Sequence, residues 1–371
     1  MGFLERKAIL VLEDGTVVRG IGFGAEKESL GEIVFNTSMT GYPESLTDPS
    51  YNGQILMPTY PLIGNYNVHP EWFESERVWV EGFVVKELCE HPSHWRGIKT
   101  VDELLEEFDV PGIMGVDTRA LTIKIREHGT MKSGLVTYDS SEPDVGDLLE
   151  RVRKQPSISE QDLVAETTRK EITHFNVEGK FKVALIDCGV KMNILRSLLN
   201  RGVSVVAVPA RTSVSQIEAL EPDGVVISNA PGDPATVTYV HKTVKQLMEK
   251  RPMMGICFGN HVLALAAGAR TFKLKFGHRG GNQPVKDLKT GKVHITSQNH
   301  SFAIDPGSLE GTGFDVTKIN CNDGTVEGID HKELPIFSIQ YHPEDSPGPW
   351  DNQYLFDRFI KMMEKQEEGK N

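Results

Sequence analysis

Three residues of this chain have the types and spacing needed to break an acyl bond. Cys257 sits in Pro252-Met-Met-Gly-Ile-Cys-Phe-Gly259, between a short apolar run and the apolar, helix-prone residues 261–267. His342 and Glu344 stand two apart in Phe337-Ser-Ile-Gln-Tyr-His-Pro-Glu344. Glycines on both sides of a cysteine at a strand-to-helix junction permit the sharp turn of a nucleophile elbow. Such a turn presents the sulfur at a helix N-terminus, where the dipole and a nearby imidazolium favour thiolate. A thiolate nucleophile needs a base that later protonates the departing amine, and that base needs an orienting carboxylate. His342 and Glu344 are of those types. Pro343 between them excludes a continuing helix and favours an extended turn at a strand end. On these residues alone, a buried structural cysteine and an unrelated turn histidine remain the competing reading.

Acyl transfer also requires donors for a developing oxyanion. The N–H of Phe258, directly after the cysteine, is one by the geometry of an elbow. The Pro231-Gly232 turn, after another apolar run, could bring a second. A plain tight turn accounts for Pro231-Gly232 equally well. No G-x-x-x-x-G-K-[ST] occurs, so no loop for ATP phosphates is visible in this chain.

The elements that must position these groups follow a strand–helix alternation after Lys182. Residues 183–187, 203–208, 224–228 and 253–257 are short, nearly continuous apolar runs, as expected of parallel strands buried on both faces, and 191–199 reads as a helix. The pattern predicts an α/β fold: a C-terminal doubly wound, mostly parallel sheet over 181–371. Its ligand crevice should lie beyond the carboxyl ends of the strands, where Cys257 and the loop 229–234 fall. Residues 1–145 read as a separate, β-rich mixed domain. Within it, 8–12 and 16–18 flank Asp14-Gly15, a type I′ hairpin signal, and 78–85 is another strand candidate. Asp117 is placed to cap a helix through Glu127, with Gly129 past its end. Gly20, Gly22 and Gly24 follow a hairpin strand with no helix behind them, so a kinked strand is expected and not a dinucleotide site. Residues 146–180 are polar and weakly periodic, and read as a linker with one short amphipathic helix.

At 371 residues the chain exceeds one ordinary core. A net charge of −12 argues against nucleic acid or an anionic membrane as partner. No segment reaches the length of a membrane span, the apolar run 8–12 is too short for a signal peptide, and Met1-Gly2 lacks the serine or threonine of a myristoylation motif. The four cysteines form no CxxC pair, so neither a disulfide framework nor a zinc site is expected, and the location expected is cytoplasmic. His91 and His94 flank Pro92 and read as a surface loop.

The two chemical segments together resemble the class I (triad) glutamine amidotransferases. Further motifs resemble the carbamoyl-phosphate synthase small subunit: Gly31-Glu-Ile-Val-Phe-Asn-Thr-Ser-Met-Thr-Gly-Tyr42, Leu46-Thr-Asp-Pro-Ser-Tyr51, Thr59-Tyr-Pro-Leu-Ile-Gly-Asn65 and Val116-Asp-Thr-Arg-Ala-Leu-Thr122. Lys275-Phe-Gly-His-Arg-Gly-Gly-Asn282, Gln298-Asn-His300 and Ser346-Pro-Gly-Pro349 match it in the C-terminal half. The resemblance implies a glutaminase in which Cys257 is the nucleophile, His342 the general acid/base and Glu344 its orienting carboxylate. It further implies glutamine contacts at Ser50, Ala230, Gly232, Phe258, His261, Asn299, Ser301 and Phe302. It implies no cofactor in this chain, with ATP and Mg on a large synthase subunit that receives the ammonia. The N-terminal domain would meet that subunit. Three positions depart from the family pattern: Ala230 and Ser301 stand where glycine is usual, and His261 where glutamine is usual. With the triad kept and the pocket altered, weaker glutamine binding is expected. Two alternatives are a glutaminase-impaired scaffold subunit for an ammonia-using synthase and a free-standing cysteine hydrolase; the N-terminal motifs argue against the latter.

Overall fold

The computed structural model describes residues 6–346 and 348–369. The Met1-Gly2 pair and Pro347, within the motif at 346–349, lie outside the described residues. Contacts divide the chain into two units, Met1–Gln161 and Asp162–Asn371.

In the first unit the strands are β1 (Lys7–Leu12), β2 (Val17–Gly24), β3 (Glu28–Asn36), β4 (Gln54–Pro58), β5 (Leu62–Ile63), β6 (Gly82–Val84), β7 (Glu87–Leu88), β8 (Pro111–Met114) and β9 (Met131–Tyr138). Seven of them close a barrel in the order β1-β2-β8-β6-β4-β3-β9, while β5 and β7 pair separately. Closure removes the free edges that a small sheet would otherwise expose. The glycine run lies in β2, as a kinked strand would have it. A β-carbon at Gly20 would come 2.4 Å from the carbonyl oxygen of Met114 in the neighbouring strand. The helix Thr118–His128 is capped by Asp117, whose carboxylate accepts the Ala120 N–H, and it stops at Gly129 with φ 99°.

Three local expectations change in this unit. The β1–β2 turn is not type I′, because only Gly15 is left-handed, with φ 92°. The Leu12 carbonyl accepts from the Gly15 N–H, and the Leu12 N–H donates to Thr16, which makes a wider loop with one glycine in the left-handed position. Of the candidate strand at 78–85, only 82–84 joins the barrel; ahead of it the Trp79 N–H donates to the Leu46 carbonyl instead. The expected linker at 146–180 is built into both units. Helix Val145–Lys154 buries Leu148 and Val152 with Ile9, Val11 and Val136 of β1 and β9. Thr173–Phe175 pairs antiparallel with a strand of the second unit. An amphipathic helix with an apolar stripe must cover a surface, and the barrel wall supplies one.

The second unit contains β10 (Thr173–Phe175), β11 (Phe181–Asp187), β12 (Val203–Pro209), β13 (Gly224–Ile227), β14 (Met253–Ile256), β15 (Thr271–Asp287), β16 (Val293–Ile304), β17 (Phe314–Asn320), β18 (Val326–His331) and β19 (Ile336–Ile339). They form one sheet in the order β10-β12-β11-β13-β14-β19-β18-β17-β15-β16. From β12 to β19 the five central strands run parallel, and the remaining strands extend the sheet antiparallel. Alternate residues serve opposite faces, as a pleated strand requires. Ala184 and Ile186 join a core with the helices Thr238–Leu247 and Phe258–Ala266. Val183 and Leu185 join the other, with Met192–Leu199 and Tyr354–Glu368. Both faces are therefore covered, which is why the strands read as continuous apolar runs. Among the described residues, no helix is long and apolar enough to cross a membrane.

Candidate active site

β14 ends at Ile256 and the next helix begins at Phe258, so Cys257 alone makes the turn. Its φ of 55° and ψ of −103° lie outside the regions L-residues ordinarily occupy. The surrounding backbone enforces that conformation. The Cys257 N–H donates to the Ile339 carbonyl at 2.8 Å, and the Asn260 N–H returns to the Cys257 carbonyl at 3.0 Å. The flanking glycines serve close packing and do not make the turn, since neither has positive φ. A β-carbon on Gly255 would lie 2.6 Å from the Gly259 carbonyl oxygen, and one on Gly259 would lie 2.3 Å from that of Ile227. The elbow is thereby seated directly on the ends of β13 and β14.

His342 follows β19, the parallel neighbour of β14, and its N–H donates to the Ser297 carbonyl at 2.9 Å. Its Nδ1 lies 2.6 Å from Glu344 Oε1, and the same oxygen accepts from Lys191 Nζ at 2.9 Å. All three side chains are buried. Burial alone would depress the His342 imidazole. The Glu344 carboxylate and the Cys257 thiol outweigh that against the opposing Lys191, so the imidazole stays well above its usual value of 6.5. Burial would likewise raise Glu344, yet His342 and Lys191 hold it below its ordinary value. His342 Nε2 is left without a full hydrogen bond among the described residues. An imidazole with Nδ1 fixed on a carboxylate and Nε2 available can take and return a proton.

The cysteine sulfur has two further neighbours. It lies 3.5 Å from the Asn299 carbonyl oxygen and 3.7 Å from the Gln340 side-chain Nε2. Phe258 occupies the first position of the helix, where no carbonyl of that helix can reach its N–H. The loop after β13 carries Ala230 and Gly232. Gly232 is left-handed, with φ 84°, whereas Ala230 is not, so alanine is unstrained where the resemblance has glycine.

The His261 ring is buried, and its Nε2 lies 3.1 Å from the Phe302 carbonyl oxygen. A carbonyl can only accept, so Nε2 carries the proton and Nδ1 is left as an acceptor. Burial, partly offset by that bond, pushes the ring down to about 3, so it is neutral. Ser301 Oγ accepts from Arg279 Nη2. Ser50 belongs to the first unit, where its N–H is capped by Asp48 Oδ1 at 2.9 Å; the other expected site residues belong to the second.

One group among the described residues, His278, His300 and Glu327, has the spacing of a cation site. Its atoms are already hydrogen-bonded. His278 Nε2 lies 2.8 Å from Asp323, Glu327 accepts from Gln298 and Asn320, and His300 Nδ1 lies 2.7 Å from the Phe302 carbonyl. Burial opposes the charge on His278, yet Glu327 and Asp323 raise it. The arrangement is a hydrogen-bond network around the stretch 298–300 that carries the Asn299 carbonyl.

Two family models match this chain: carbamoyl-phosphate synthase small chain, CPSase domain, over residues 10–135, and glutamine amidotransferase class-I over residues 184–362. The carbamoyl phosphate synthase small chain of Archaeoglobus fulgidus is 56% identical over 357 residues, covering 96% of this chain and 99% of that one. Its counterpart in Aquifex aeolicus is 52% identical over 375 residues, covering 97% and 100%. This chain belongs to the carbamoyl-phosphate synthase small-chain family. Cys257, His342 and Glu344 all fall inside the amidotransferase match of this small chain.

Lys191, Gln340 and Asn260 were not singled out from the sequence. Gln340 had a usable signal: a polar side chain ending an apolar strand, two residues before the histidine. Lys191 had none, because its partner lies 153 residues away.

Proposed function

We propose that this small chain hydrolyses L-glutamine to glutamate and ammonia through a cysteinyl thioester at Cys257. The ammonia passes to a large synthase subunit in the cytoplasm, which makes carbamoyl phosphate from bicarbonate and ATP. The S–H proton moves to His342 Nε2, and the sulfur adds to the side-chain carbonyl carbon of glutamine. The N–H of Phe258 receives the developing oxyanion, with Gly232 the second expected donor. His342 returns the proton to the leaving nitrogen, ammonia departs, and the thioester remains. Water, deprotonated by His342, then releases glutamate and restores the thiol. Within the second unit the glutamine pocket is expected at Ala230, Gly232, Phe258, His261, Asn299, Ser301 and Phe302.

The observation that carries this reading is the meeting of the strained Cys257 elbow with a buried imidazole–carboxylate pair at neighbouring strand ends. That the relatives are carbamoyl phosphate synthase small chains supports a synthase subunit as the partner. The test is glutamine hydrolysis with and without the large subunit, with Cys257→Ala as blank. A rise on complex formation supports both activity and partnership, and undiminished hydrolysis by Cys257→Ala overturns the nucleophile. The His261 ring, committed to the Phe302 carbonyl, favours a second reading: a scaffold subunit with impaired glutaminase serving an ammonia-using synthase. Failure of Cys257 to be captured by a glutamine-analogue affinity label would favour it.

A further inference from the structure

Resting on Cys257 as the nucleophile, we propose that Gln340 is a further catalytic residue. It donates a side-chain N–H to the reacting sulfur, and Asn260 and Ser338 are positioning residues that set the direction of that donation. Three hydrogen bonds run in series. Ser338 Oγ donates to Asn260 Oδ1 at 2.7 Å, Asn260 Nδ2 donates to Gln340 Oε1 at 2.8 Å, and Gln340 Nε2 donates to Cys257 Sγ at 3.7 Å. All three side chains are at most 1% exposed. The backbone holds the last link in place: the Gln340 N–H donates to the Glu327 carbonyl, and the Cys257 N–H to that of Ile339.

The need for this donor follows from what else faces the sulfur. The Asn299 carbonyl oxygen, 3.5 Å away, accepts the S–H of the thiol. Once the proton has moved to His342 Nε2, that oxygen turns a lone pair toward an anion, and a backbone carbonyl in a strand cannot rotate away. In a buried site this repulsion is weakly screened. The Gln340 N–H offsets it. An amide can present oxygen or nitrogen to the sulfur, and only nitrogen suits a thiolate. Asn260 decides between them by giving Gln340 Oε1 a donor, and Ser338 holds Asn260 in turn. In the reaction the electron pair left on sulfur forms the S–C bond, the S–H proton resides on His342, and Gln340 keeps its own protons throughout.

The experiment uses the complex with the large subunit and the variants Gln340→Met, Asn260→Asp and Ser338→Ala. Three quantities are measured: glutamine kcat and KM, the rate of Cys257 alkylation by iodoacetamide at fixed pH, and ammonia-dependent carbamoyl phosphate formation. Gln340→Met should lower alkylation and kcat by about tenfold or more, as loss of a hydrogen bond to a charged group does, with KM and ammonia-dependent synthesis retained. Asn260→Asp, which does not touch the sulfur, offers Gln340 only acceptors and turns its oxygen toward Sγ. Its loss should equal or exceed that of Gln340→Met, an outcome that mere packing does not produce. Unchanged kcat and alkylation in Gln340→Met overturn the proposal. If that variant loses ammonia-dependent synthesis through misfolding, Ser338→Ala decides: a several-fold fall in kcat supports the relay, and unchanged kcat and alkylation overturn it. Hydrolysis that survives Cys257→Ala is a separate failure, of the nucleophile itself.

Discussion

Lys191 Nζ lies 2.9 Å from Glu344 Oε1, with the two side chains 5% and 0% exposed. The carboxylate that orients His342 is therefore shared with a buried ammonium. Burial favours the protonated carboxyl, but His342 and Lys191 together keep Glu344 below its ordinary value of 4.5. A depressed carboxyl contributes stability that is present above its unfolded value and lost as pH falls through its folded value. Removing Lys191 moves the folded value back up. Lys191→Met should cost about 3 kcal/mol, as breaking a buried pair does. Melting temperature measured against pH should begin its acid-side fall at higher pH than in wild type. An acid limb that superposes on the wild-type curve would mean that the lysine charge does not act on Glu344.

Glu344→Gln keeps an acceptor for His342 Nδ1 but removes the negative charge that favours the imidazolium. Glutamine kcat should fall by about two powers of ten, within the usual range for general acid–base catalysis. KM should move little, since Glu344 does not contact the substrate in the proposed mechanism. Steady-state kinetics over a range of glutamine concentrations separates the two parameters.

His261→Gln restores a side chain with both a donor and an acceptor free to turn toward a ligand. In the present chain the Nε2 proton is bound to the Phe302 carbonyl. KM for glutamine should drop, with kcat retained. A KM that stays put would show that position 261 does not set glutamine affinity.

Asp345 stands beside the triad carboxylate with φ 38°, and neither of its carboxyl oxygens has a hydrogen-bond partner among the described residues. Burial first, and then the Glu344 charge, push its carboxyl up to about 8 from an ordinary value of 3.8. A raised group contributes stability that is full below its unfolded value and lost as pH rises through its folded value. Between about pH 4 and pH 8 the carboxyl therefore increasingly favours unfolding. Asp345→Asn should raise the melting temperature at pH 8, with little change at pH 4. An equal gain at both pH values would assign the effect to packing and not to charge.

Much of the second unit was legible because its signals are local. Continuous apolar runs of strand length marked β11 to β14, and Asp117 and Gly129 marked the two ends of a helix in the first unit. The short amphipathic helix expected within 146–180 is present as Val145–Lys154, but a polar, weakly periodic stretch shows nothing of the surface that will cover its apolar stripe. The type I′ reading failed because a dipeptide signal does not record how many residues the loop will span.

The sequence by itself determined which groups are candidates for the proposed chemistry and the order of the elements bearing them. Cysteine, histidine and glutamate next to glycine, proline and strand runs restrict the local backbone to few choices. Only the tertiary structure decided how those groups are tuned. It placed the backbone strain on Cys257 and not on its glycines, and it set Lys191 on Glu344 from 153 residues away. It also turned the Gln340 amide nitrogen toward the sulfur and tied up the His261 proton. Hydrogen-bond direction and burial depend on neighbours that are distant along the chain, and no short-range pattern encodes them.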